Sequence, residues 1–69
     1  MSLPLVQFRL SKRENEIILL IKKEYTNQQI ANELHLSIYT IETHRKNIMQ
    51  KLQLKSPAAL IKFIIENKL

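Results

Sequence analysis

Apolar residues recur at helical spacing in four stretches of the chain, and a hydroxyl residue stands immediately before each: Ser11, Thr26, Ser37 and Ser56. A hydroxyl oxygen in that place accepts a hydrogen bond from the otherwise unpaired amides of a helix's first turn. Ser11 is followed three residues later by Glu14, and Thr26 by Gln29, the reciprocal arrangement in which each side chain satisfies the other residue's backbone donor. Ser56 precedes Pro57, whose fixed φ and missing N–H suit a first helical position. These signals predict helices near residues 12–24, 27–34, 38–52 and 57–67. The β-branched run Ile17 to Ile21 looks strand-like in isolation, but it lies between a capping box and Lys22-Lys23. Glu14 and Glu16 near its start and cations near its end are what a helix dipole favours. No turn dipeptide or alternating segment is present to pair with it as a strand. The expected fold class is therefore all-α, a four-helix bundle over residues 11–69. Residues 1–10, with Pro4 and with Leu3, Leu5, Phe8 and Leu10, are expected to form an extended lead-in or linker.

The second and third segments form one unit. Ile30, Ala31 and Leu34 share a face of the second helix, and Ile38, Ile41, Ile48 and Leu52 share a face of the third. Only His35-Leu36-Ser37 joins them. A short helix, a tight turn with one inward apolar residue and a longer helix describe a helix-turn-helix, whose later helix is free to enter a major groove.

Composition narrows the function. The 69 residues carry 11 Lys and Arg against 6 Asp and Glu, a net charge of +5, which favours polyanions. Residues 36–69 hold net +4 of it and residues 1–35 net +1, so the excess travels with the proposed groove-entering helix. Lysines that merely solvate a helix surface would give a similar excess. With no cysteine there is no disulfide framework and no thiolate zinc site; with no glycine there is no Walker loop and no dinucleotide-binding turn. His35 and His44 are nine residues apart on different elements and have no carboxylate or cysteine cluster beside them, which disfavours a metal or acid–base role. The longest apolar run is five residues, far short of the roughly 20 that a membrane span needs. The expectation is a cytoplasmic binding protein without catalysis, cofactor or metal.

Several separated blocks then agree in order and spacing with one family. Leu10-Ser11-Lys12-Arg13-Glu14, Thr26-Asn27-Gln28-Gln29-Ile30-Ala31, the run from Leu36 to Ile48, and Lys51-Leu52 together resemble the LuxR-type (GerE-like) DNA-binding domain. The resemblance covers about residues 9 to 69. It implies a winged-helix-like fold without a wing, a third helix that reads DNA and a fourth that dimerises in many members. It also implies a bacterial transcription regulator whose receiver or sensor domain lies upstream, and Glu42 to Ile48 looks most like the response-regulator branch. The family commonly places glycine where this chain has Glu24, His35 and Gln53, so one or more of these is expected to adopt a left-handed backbone.

With Ile38, Ile41, Ile48 and Leu52 inward, the third helix turns Tyr39, Glu42, Thr43, Lys46 and Gln50 outward. Glu42, Thr43 and Lys46 also match the places of the family's base contacts. Lysine can donate to guanine, glutamate can accept from cytosine N4, and threonine can meet a thymine methyl or a base edge. An i, i+4 ion pair between Glu42 and Lys46 is the competing expectation. Thr26, Asn27 and Thr40 stand at helix N-termini and are expected to contact phosphates, although Thr26 could equally be a plain cap. Lys51 and Lys55 are expected to follow the backbone at the far end, and Arg45 to reach a phosphate from the apolar seam. His44 resembles the family's histidine, packed on the second helix with one nitrogen near a phosphate.

The fourth segment is apolar in almost every direction: Ala58, Ala59, Leu60, Ile61, Phe63, Ile64 and Ile65. One face can fill the core, and Ala59, Phe63 and Ile64 are expected to form a homodimer interface, with cover by a sensor domain of a longer protein as the alternative. A protein-interaction module that uses helix 57–67 without reading DNA is the alternative function. A single-strand RNA binder would need clustered exposed aromatics, and Phe8, Tyr25, Tyr39 and Phe63 are scattered.

Overall fold

A computed structural model describes residues 9–67, and within them the chain forms four helices and no strand. They are α1 (Lys12–Lys22), α2 (Asn27–Leu34), α3 (Ile38–Lys51) and α4 (Pro57–Glu66). The expected lead-in falls mostly on residues 1–8, outside the described residues.

Each helix starts where its hydroxyl cap stands. Ser11 Oγ accepts from the Glu14 amide at 3.1 Å while Glu14 Oε1 accepts from the Ser11 amide at 2.8 Å. Thr26 and Gln29 repeat the pattern at 3.1 and 2.8 Å. Ser37 caps Thr40 N and Ser56 caps Ala59 N, each at 3.1 Å. Such a cap is worth about 1 kcal/mol, which matters in a domain whose total stability is small.

The first three helices end by one shared device. Glu24, His35 and Gln53 all have positive φ, at 66°, 57° and 58°. At each, the amide of that residue returns to a carbonyl three residues back and the next amide to one five back: Glu24 to Ile21 and Tyr25 to Leu20, His35 to Asn32 and Leu36 to Ala31, Gln53 to Gln50 and Leu54 to Met49. This double closure satisfies carbonyls that a helix end leaves unpaired. The residues that follow, Tyr25, Leu36 and Leu54, pack against the core, so each turn is also an apolar anchor. The expected left-handed residues are present at all three places, and the first explains why α1 stops at Lys22 and not at 24. Arg9 adds a fourth left-handed residue, at 54°.

Ile17, Ile18, Leu20 and Ile21 of α1 meet Ile30 and Ala31 of α2, Ile41 and Ile48 of α3, Leu52 just beyond it, and Leu60 and Ile64 of α4 in one continuous core. Burial of Ile41 and Ile48 fixes the rotation of α3 about its axis, and thereby which side chains it shows to solvent. Ile38, expected to be inward, is only half-buried at the exposed start of that helix.

Candidate nucleic-acid interface

Because Ile41 and Ile48 are buried, the opposite side of α3 faces outward, and Glu42, Thr43 and Lys46 are all exposed there. None of the three is engaged in a hydrogen bond or ion pair among the described residues. The ion pairs found are Arg13 with Glu16 and Lys51 with Glu14, so the competing pairing of Glu42 with Lys46 is not formed.

The expected phosphate contacts divide into two groups. Thr26 and Asn27, at the start of α2, line one concavity with Arg45 of α3. It holds about 770 Å³ and is also lined by Lys22 at the end of α1, by Glu24 and Tyr25 in the turn that follows, and by Ile61 and Ile65 of α4. Burial pushes the Arg45 guanidinium below its ordinary pKa, though nowhere near neutrality, so it remains a cation on the apolar seam. Thr26 Oγ1 caps Gln29, and the hydroxyl hydrogen is still available to an outside acceptor. Lys22 is the cation that sequence patterning missed here. Its place at the end of α1 marks it as a dipole partner, and the turn between α1 and α2 sets it beside the same hollow. Thr40 is half-buried with its hydroxyl 2.9 Å from Ser37 Oγ, His44 is half-buried beside Arg45 in sequence, and Lys55 is exposed beyond α3.

Lys51 has a different place from the one expected. Its Nζ lies 2.7 Å from Glu14 Oε1 and 3.2 Å from the Arg9 carbonyl oxygen, and it donates to both. Glu14 is buried, 4% exposed. Burial alone would raise its pKa, but the hydrogen bonds from Lys51 and the Ser11 amide and the Lys51 charge outweigh that and hold the carboxyl below its ordinary value. Lys51 thus ties the C-terminal turn of α3 to the start of α1, with two of its three donors engaged there.

Of the expected dimer face, Ile64 needs correction. Ile64 is 1% exposed and belongs to the core, because the α4 face that carries Leu60 and Ile64 is the one turned toward α1. Phe63 is partly buried against that core, and Ala59 is half-buried. Ile61 and Ile65, at 46% and 69%, are the large apolar α4 side chains left outside.

This geometry is a short helix, a three-residue turn and a longer helix with an unpaired polar face. Residues 9–64 match the family described as bacterial regulatory proteins, luxR family. The chain belongs to that family. Its helix-turn-helix is accordingly a DNA-binding unit of a transcription regulator. Oxygen regulatory protein NreC of Staphylococcus carnosus (strain TM300) is 50% identical to this LuxR-family domain over 60 residues, which are 87% of the chain and 28% of that relative. The proteins of the same name from Staphylococcus aureus strains JH9 and Mu3 are 48% identical over the same shares. The chain therefore spans little more than a quarter of the length of these curated relatives.

Proposed function

We propose that this LuxR-family domain reads duplex DNA by placing α3 in the major groove, with Glu42, Thr43 and Lys46 on base edges. The observation that carries this is the joint exposure of those three side chains, unpaired, on the side of α3 turned away from the buried Ile41 and Ile48. Thr26, Asn27 and Arg45 line one hollow beside α3, and with Thr40, His44 and Lys55 they hold the phosphate backbone and set register. Phosphate neutralisation supplies affinity that falls with salt, and each good base contact adds about 1 to 3 kcal/mol of discrimination. No covalent chemistry is involved; the mechanism is binding.

A second copy pairs with the first through Ile61 and Ile65 of α4, which would set two α3 helices on neighbouring half-sites. The segment that precedes this domain in its parent regulator carries the input, a receiver or a sensor, as the length of the NreC relatives suggests.

A gel-shift series with duplexes selected from a random library tests the groove assignment. Lys46→Ala is expected to lose about 5- to 100-fold on the selected duplex and to relax one base preference. Lys55→Ala is expected to weaken every duplex by a similar factor. The same sequence-independent loss for both variants would remove the base-reading role of Lys46.

A further inference from the structure

Tyr39 is the most exposed of the large apolar side chains among the described residues, at 76%, and its hydroxyl has no partner among them. Nothing local asks for tyrosine at this second position of α3. The cap is supplied by Ser37, the first turn holds no acidic residue, and an aromatic ring loses χ1 freedom in a helix. Its angular position is informative. At about 100° per residue, Tyr39 falls about 20° from Lys46, about 40° from Thr43 and about 180° from the fully buried Ile48. It thus lies at the middle of the outward face. Thr40 and Arg45, assigned to phosphates, lie about 100° and 120° to either side of it by the same count.

A side chain at the middle of a groove-entering face meets base edges, whereas those at its margins meet the backbone. The one apolar feature that a base pair shows in the major groove is the 5-methyl group of thymine. Tyr39 precedes Thr43 by four residues, about 6 Å along the axis, which is close to two base steps. Building on the base-reading function proposed above, we infer that Tyr39 is a fourth specificity-determining residue, which lays its ring against a thymine methyl within about two base pairs of the pair read by Thr43. The hydroxyl is secondary: the ring makes the contact, so phenylalanine serves as well.

The test is selection from a random duplex library with the 69-residue chain, its Tyr39→Phe, Tyr39→Ala and Thr43→Ala variants, followed by gel shifts on the selected duplex. The unaltered chain and Tyr39→Phe are expected to enrich a thymine next to, or one further from, the position that Thr43→Ala relaxes. Tyr39→Ala is expected to lose that preference and no other. Replacing that thymine by uracil removes only the methyl, and should weaken the unaltered chain and Tyr39→Phe by about fourfold, the worth of one buried methyl group. The same replacement should leave Tyr39→Ala unaffected. An equal effect of uracil on Tyr39→Ala, a preference that survives in that variant, or a loss shared by all duplexes would overturn the assignment while leaving the base-reading function intact. Failure of the unaltered chain to enrich any sequence would overturn both.

Discussion

Lys51 holds the Glu14 carboxylate and the Arg9 carbonyl at once, so its removal leaves a carboxylate that is 4% exposed without its cation. Lys51→Ala is expected to cost about 1 to 3 kcal/mol of stability, a partial value because the lysine itself is over a third exposed. The same contact makes stability depend on acid. The folded carboxyl lies below its ordinary value of 4.5, so its contribution is fully present above about pH 4.5 and disappears as pH falls through the lower folded value. Urea unfolding between pH 7 and pH 3 should show a steeper acid loss for the unaltered chain than for Glu14→Gln. Parallel curves would mean that the pair contributes nothing. None of this was visible in the residue pattern, because Glu14 and Lys51 are 37 positions apart and each has a sufficient local reason to be there. Glu14 reads as half of a capping box and Lys51 as a cation near a helix end.

Helix boundaries are local chemistry, and so they could be read from the chain. A hydroxyl with its partner three residues on marks each of the first two starts, and Ser56-Pro57 marks the last. The ends were legible in a less direct way. The family resemblance pointed to glycine positions occupied by Glu24, His35 and Gln53, and the backbone is left-handed at all three in spite of their side chains. The rotation of α4 was legible only in part. Exposed Lys62 falls about 160° from both Leu60 and Ile64 at about 100° per residue, but apolar residues fill both flanks, and packing on α1 decides that Ile61 and Ile65 stay out. That rotation sets a prediction for the element. If α4 pairs with a second copy, Ile61→Asp with Ile65→Asp should weaken association at least tenfold in sedimentation equilibrium and leave the unfolding midpoint of the monomer little changed. A chain that stays monomeric at high concentration, or one whose association ignores both changes, would argue against this interface.

The whole molecule combines three surfaces around one core. The outward face of α3 carries the unpaired Glu42, Thr43 and Lys46; the hollow beside it collects Thr26, Asn27, Arg45 and Lys22; and the same hollow runs on to Ile61 and Ile65. The surfaces proposed for phosphates and for pairing therefore adjoin. A net charge of +5 on 69 residues gives this arrangement a salt-dependent attraction to DNA of any sequence, on which the proposed base reading would be superimposed. The most direct measurement is the amide chemical-shift map of the chain titrated with a selected duplex. The largest changes are expected along α3 from Tyr39 to Gln50 and at Thr26 and Asn27. Changes centred on Ile61 and Ile65, with residues 42–46 unmoved, would contradict a groove-reading α3.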